Sequence, residues 1–279
     1  MIAEPFASRW RQNYEKRTNL VLGVAPSPKW LAAWGLDDTP DGLTRFCSHI
    51  ADAVGTLPAV KLQSPFFERF GAPGLDAMAA LADSCHAQGT LVVVDAKRGD
   101  AEDTAAAYRD IYLGSGSRLR GDAVTAMPFM GFASLEPLCR MAGRQGCAVM
   151  VLVRTSNHVG AVQVARGPDG RSVAEQVADD ISTFNRAAGA DEIGPAAALV
   201  GAPADEARGL LKRMSNALVS LPGLGRPGRT VREFADTVGT AGQRVLLPVT
   251  SGLLWAGPGG LAGEIAHWQG ELRASGLAP

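Results

Sequence analysis

Apolar residues fall along this chain in two alternating rhythms. Short runs at Leu20–Val24, Ala59–Lys61, Leu91–Val94, Ala123–Met127, Cys147–Val153, Ala196–Val200, Ala217–Leu221 and Val245–Val249 read as buried strands. Between them apolar positions recur at three- and four-residue steps, as in Phe46, Ile50, Ala53 and Val54, which predicts helices. These helices span 43–54, 74–87, 101–113, 133–144, 172–188, 203–214, 230–238 and 259–272. Pro73 suits the opening turn of the second. Pro26–Pro28, Asp37–Gly42, Arg166–Gly170 and Gly223–Gly228 mark loops, with a short helical turn expected over Leu31–Trp34. Residues 5–17 carry helical spacing ahead of the first strand and are expected to cover one end of the domain.

Strands that alternate with helices call for a parallel sheet. Eight such units in one chain call for a closed (β/α)8 barrel, an α/β fold, with a doubly wound open sheet as the alternative. The 279 residues suit one barrel domain spanning 1–279. In such a barrel the chemistry sits at the C-terminal strand ends. Lys61, Asp95, Lys97, Ser156 and the loops after strands seven and eight would then meet in one mouth.

Composition narrows function by exclusion. A formal net charge of −1 and a pI near 6.4 give no sign of a nucleic-acid or membrane surface. Cys47, Cys85, Cys139 and Cys147 form no C-x-x-C pair, so free and mostly buried thiols in a reducing cytoplasm are expected. His49, His86, His158 and His267 show no zinc-binding spacing, and no metal site is expected. The first 17 residues lack the apolar centre of a signal peptide, and no run is long enough to span a membrane.

The third strand ends in Asp95-Ala96-Lys97-Arg98-Gly99-Asp100. Regular strand alternation points Asp95 and Lys97 to the same side. Alone, such a pair is as well explained by a structural ion pair, and a lone Lys61 by a solvated strand end. Taken together, Lys61, Asp95, Lys97 and Asp100 place a nearly neutral set of fixed charges around one small volume. Such crowding costs stability unless it is used, and it suits a reaction that moves charge.

This array resembles the orotidine 5′-phosphate decarboxylase family. Asp95-Ala96-Lys97-Arg98-Gly99-Asp100 followed by Thr104-Ala105-Ala106-Ala107-Tyr108 is similar to its type-2 bacterial branch. So are Pro128-x-x-Gly131-x-x-Ser134-Leu135-x-Pro137, Val153-Arg154-Thr155-Ser156-Asn157 and Ala256-Gly257-Pro258. The resemblance covers nearly the whole chain. It implies a cofactor-free decarboxylation of an orotidine-like nucleoside or nucleotide, in a homodimer whose Asp100 enters the neighbouring subunit's site. Asp95 would face the substrate's carboxylate, Lys97 would protonate the carbanion, and Ser156 would meet the pyrimidine. The other implied substrate-binding positions are Thr104, Asn157, Gly223, Gly225, Arg226, Ser251 and Gly252. Related barrels that act on sugar phosphates through a metal place an acidic ligand where this chain has Lys61.

The departures concentrate on the sugar and the phosphate. The family's ribose-binding Asp after strand one is missing from Gly23-Val24-Ala25-Pro26. Asn-Pro-Tyr becomes Met127-Pro128-Phe129, Ala133 stands where an Asp is usual, and His158 replaces a Pro. The Gly-rich loop after strand seven reads Gly223-Leu224-Gly225-Arg226-Pro227-Gly228, and Gly252 follows Ser251 where a phosphate-binding Arg is expected. Arg226 or Arg229 could supply a displaced cation. The three loop glycines also fit a dinucleotide fingerprint, but too late in the chain and without the following acidic strand end. Trp30, Trp34, Trp255 and Trp268 are read as packing residues. The function expected is thus a decarboxylase with changed sugar and phosphate recognition, for instance in nucleoside natural-product biosynthesis. The alternatives are an ordinary orotidine 5′-phosphate decarboxylase and a non-catalytic nucleotide-binding relative.

Overall fold

The computed structural model describes residues 4–100, 102–157, 160–189, 193–225 and 228–279. Among them, parallel strands β1 (Leu20–Val24), β2 (Ala59–Leu62), β3 (Leu91–Arg98), β4 (Ala123–Ala126), β5 (Ala148–Arg154), β6 (Ala196–Val200), β7 (Val219–Ser220) and β8 (Val245–Val249) close into one barrel in sequence order. The (β/α)8 expectation holds, and the open sheet is excluded by the pairing of β1 with β8.

Helix α1 (Phe6–Lys16) precedes the barrel. Around the barrel run α2 (Pro28–Ala33), α3 (Pro40–Ala53), α4 (Pro65–Glu68), α5 (Ala72–Ala87), α6 (Glu102–Tyr112) and α7 (Glu136–Arg144). They are followed by α8 (Ala161–Val164), α9 (Val173–Ala187), α10 (Ala204–Arg213), α11 (Val231–Val238), α12 (Ser251–Leu254) and α13 (Gly257–Ala274). Several boundaries differ from the sequence reading, each for a local reason. Helix α3 starts at Pro40, inside the expected loop, because Thr39 caps it through Gly42 N–H and Pro40 fits the first turn. The expected helix from Ala133 opens instead as a 3₁₀ turn, Phe132–Leu135, and the α-helix proper begins at Glu136 with Pro137 in its first turn. Strand β7 is only two residues long, since Leu221 runs directly into Pro222.

Strand residues of alternating parity enter two cores. One set packs under the helices with Val24, Val60, Val94, Val124 and Val249. The other, Val21, Ala59, Leu91, Val93, Ala123, Ala148, Met150, Ala197, Leu218 and Leu246, fills the barrel interior and meets Phe6 and Trp10 of α1. Helix α1 covers the N-terminal strand ends. Trp10 Nε1 donates to the Gln243 carbonyl at 2.9 Å, and Arg9 Nη2 donates to the Gly146 carbonyl at 2.8 Å. Arg9 also pairs with buried Asp122, whose Oδ2 accepts the Val92 N–H at 2.7 Å. All four cysteines are free and buried, and burial pushes the Cys47 and Cys85 thiols up to about 12. No helix among the described residues is long and apolar enough to cross a membrane.

Candidate active site

The interior-facing parity carries apolar residues at the bottom of the barrel and polar ones at the top. One step beyond Ala59, Leu91–Val93, Ala123 and Leu218 on their strands stand Lys61, Asp95, Thr125 and Ser220, all buried. The floor of the mouth is therefore polar because the same alternation that fills the core continues past it.

Asp95 is the centre. It is 2 % exposed, and Lys61 Nζ donates to its Oδ2 at 2.7 Å. Lys97 Nζ donates to Oδ1 at 2.6 Å, and the Thr125 hydroxyl donates to the same oxygen at 2.9 Å. Burial alone would push the Asp95 carboxyl up. The Lys61 and Lys97 charges and their hydrogen bonds outweigh burial and hold it at about 2. The group is an anion at neutral pH.

Lys97 reaches Asp95 by a route that differs from regular alternation. The β3–β4 register runs Val93↔Ala123 and Val94↔Val124, then jumps to Arg98↔Ala126. Four steps along β3 match two along β4, so Asp95, Ala96 and Lys97 form a bulge. Lys97 takes φ +47°, a left-handed conformation that costs a non-glycine residue roughly 1–2 kcal/mol. Its N–H, lost from the ladder, donates to Thr125 Oγ1 at 2.9 Å. Just beyond, Arg98 Nη2 donates to Glu68 Oε1 at 2.6 Å and Nε to the Tyr112 hydroxyl at 3.2 Å, tying this strand end to α4 and α6.

The other expected residues are placed as follows. Asp100 is half-buried just past the bulge, next to Gly99, whose Cα packs so closely on the Met127 carbonyl that a Cβ would lie 2.4 Å from it. Thr104 is exposed in the first turn of α6. Ser156 and Asn157 are exposed in the loop after β5. Gln163 of α8 anchors that loop, its Oε1 accepting Thr155 N–H at 2.9 Å. Gly223 and Gly225 have φ +106° and +91°, and their loop closes by Gly225 N–H to the Arg229 carbonyl at 2.9 Å and Arg229 N–H to the Gly223 carbonyl at 2.8 Å. Ser251 and Gly252 are half-buried at the start of α12. Arg226 and His158 lie outside the described residues.

Two features of the mouth were not foreseen. The Trp268 ring lies against both Gly225 and Gly252, with its carbons 3.1 and 3.4 Å from where their Cβ atoms would be. Gly23 faces Thr250, whose Oγ1 occupies the place of a Cβ there. Trp255 corrects the packing assignment. It is 60 % exposed and touches Trp30 by an edge contact with ring centroids 4.8 Å apart, while Lys29 Nζ stands 4.9 Å from both rings. Trp30 and Trp34 are buried as expected, and Trp268 is partly so.

Comparison with known proteins decides the family. The sequence profile of the Orotidine 5′-phosphate decarboxylase / HUMPS family matches residues 35–240. The chain belongs to this family. It is 38 % identical over 258 residues to the orotidine 5′-phosphate decarboxylase of Myxococcus xanthus, covering 91 % of this chain and 90 % of that one. It is 40 % identical over 257 residues to that of Salinispora arenicola, covering 91 % of each. A Streptomyces avermitilis crystal structure, described as a provisional orotidine 5′-phosphate decarboxylase, superposes with TM-score 0.92 at 35 % identity, over 100 % of this chain and 98 % of that one. The expectation of a carboxy-lyase of this family stands.

Proposed function

We propose that this chain removes CO2 from an orotidine-like nucleoside or nucleotide, with Lys61, Asp95, Lys97 and Asp100 as its charged machinery. The observation that carries the reading is the buried Asp95 carboxylate held between two ammonium groups at 2.7 and 2.6 Å. The substrate's carboxylate lies against Asp95, so like-charge repulsion is relieved as CO2 departs. The bond from ring carbon to carboxyl breaks, and its electron pair stays on the ring carbon. Lys97 stabilises that carbanion and donates a proton to it, then regains one from water. No cofactor enters this sequence. Ser156 and Asn157 meet the base from the β5 loop.

A homodimer belongs to the same reading, with Asp100 delivered to the partner's mouth. Support comes from an apolar surface beside it, where Met127, Phe129 and Met130 are 42 %, 87 % and 60 % exposed. An exposed apolar cluster of this kind suits a protein partner.

The sugar and phosphate end is read as changed. Gly252 offers no side chain, Trp268 fills the space beside it, and Arg229 turns onto Phe234 with its guanidinium carbon 4.1 Å from the ring centroid. A recess of about 690 Å³ lies there, lined by Gly225, Gly252, Trp255 and Trp268 and also by Arg229 and Arg232, with room for a differently substituted sugar. A nucleoside substrate, as in natural-product biosynthesis, fits this end. The second reading, an ordinary orotidine 5′-phosphate decarboxylase in pyrimidine synthesis, is favoured by relatives of that name at 38 % and 40 % identity. Side-by-side assays of the purified protein on orotidine and its 5′-phosphate separate the two. No release of CO2 from either would overturn both.

A further inference from the structure

The bulge in β3 poses a problem that a single β4 side chain solves. Lys97 N–H has left the β3–β4 ladder, and Asp95 needs donors on both oxygens to remain an anion in a buried place. Thr125 has no exposed surface and stands opposite the bulge. Its Oγ1 accepts from Lys97 N–H at 2.9 Å, a contact in which the amide can only donate. The hydroxyl proton is thereby free to go to Asp95 Oδ1, also at 2.9 Å. The same carboxylate oxygen accepts Lys97 Nζ at 2.6 Å. One hydroxyl thus joins the backbone and, through Asp95, the side-chain end of the proposed proton donor.

We propose that Thr125 is a positioning residue, which fixes the left-handed turn at Lys97 and the orientation of the Asp95 carboxylate so that the Lys97 amine is aimed into the mouth. Being wholly buried, it touches no substrate and acts only through these two residues. Its kinetic consequence rests on the decarboxylase reading given above. Its effect on Asp95 does not.

The test compares Thr125→Val, which keeps the shape and removes the hydroxyl, with Thr125→Ser, which keeps the hydroxyl. Two quantities are measured: kcat and KM for decarboxylation, and titration of the Asp95 carboxyl by carbon-13 NMR, which needs no turnover. For T125V, kcat falls about 10- to 100-fold with KM little changed, the scale of one lost hydrogen bond to a charged group. Its Asp95 carboxyl titrates at higher pH than in the parent, and T125S restores both quantities. Parent-like kcat and titration in T125V would overturn the proposal, as would a T125S as impaired as T125V. If T125V does not fold, Thr125→Cys makes the same comparison against T125S, because a thiol is a weak donor. A shifted Asp95 titration in a protein that decarboxylates neither orotidine nor its phosphate would sink the function and leave the positioning role standing.

Discussion

Lys61 Nζ stands 2.7 Å from Asp95 Oδ2, on the opposite carboxylate oxygen from Lys97. The two lysines therefore share one anion, and each keeps the other from meeting Asp95 alone. Lys61 is nearly buried, and its side chain is 11 % exposed against 42 % for Lys97. The more exposed amine is the one free to meet a substrate. The buried one holds the carboxylate still.

Lys97→Ala is accordingly expected to reduce turnover about a thousandfold or more, as for loss of a general acid, while the barrel still folds. Steady-state kinetics on the folded variant checks this. Retention within about tenfold of the parent, roughly 1.4 kcal/mol of barrier, would show that Lys97 is not the acid.

Asp95 makes stability depend on pH at the acid end. Its carboxyl lies at about 2 in the fold against an ordinary value of 3.8. A lowered folded value means that the unfolded chain binds the proton first. The stabilisation is thus present above about pH 4 and is lost as pH falls from there through about 2. Its size is about 2 kcal/mol. Denaturant unfolding of the parent and of Asp95→Asn across this range should show the difference between them narrowing on acidification. A gap that stays constant from neutral pH down would refute the assignment.

The proposed sharing of Asp100 across a dimer is tested by complementation. Homodimers of Lys97→Ala and of Asp100→Ala should each be inactive. A mixed dimer keeps Lys97 on one chain and Asp100 on the other, and so regains up to one working site. Verified heterodimers without activity would count against sharing.

Asp122, at the other end of the barrel, should matter for stability and not for turnover. It holds Arg9, His86 and the Val92 N–H, and burial is outweighed by the His86 and Arg9 contacts, which lower its carboxyl below the usual range. Asp122→Ala should cost about 1–3 kcal/mol of stability by leaving the buried Val92 N–H unpaired, with less lost in Asp122→Asn. Activity per folded molecule should not change.

The barrel was legible because each strand is a short apolar run and each helix has its own periodicity. The Lys61–Asp95 contact was legible because both residues follow the interior parity of their strands. The bulge was not. Nothing in Asp95-Ala96-Lys97 announces that four residues will face two, since that depends on the partner strand. Thr125 left a faint signal as a hydroxyl within the apolar run Ala123–Ala126, two residues after interior-facing Ala123. Trp268 lies some sixteen residues past Gly252 on a helix, so only the folded backbone brings its ring to the glycines.

That ring bears on the last prediction. A bidentate Arg grip on a phosphate is a strong, charge-assisted contact, and its binding energy can be used far from the reacting carbon to close loops over the substrate. Here Gly252 has no side chain to offer, and the ring beside it is an indole whose Nε1 donates to Glu264 Oε1 at 2.9 Å. Arg229 is half-buried, and burial lowers its guanidinium from the ordinary value. It rests on Phe234, with Nη1 3.4 Å from Thr237 Oγ1. It also lines the recess beside Gly252, where a grip on a phosphate would compete with that stacking. The preference for a 5′-phosphate should therefore be small, measured as kcat/KM for orotidine against its 5′-phosphate, and Arg229→Ala should leave the ratio unchanged. Arg226→Ala completes the comparison. A phosphate preference of several orders of magnitude that collapses in either arginine variant would show that the cation has been relocated rather than lost. A large preference that survives both would place the phosphate on groups other than these arginines, and the reading of a changed sugar end would fall with it.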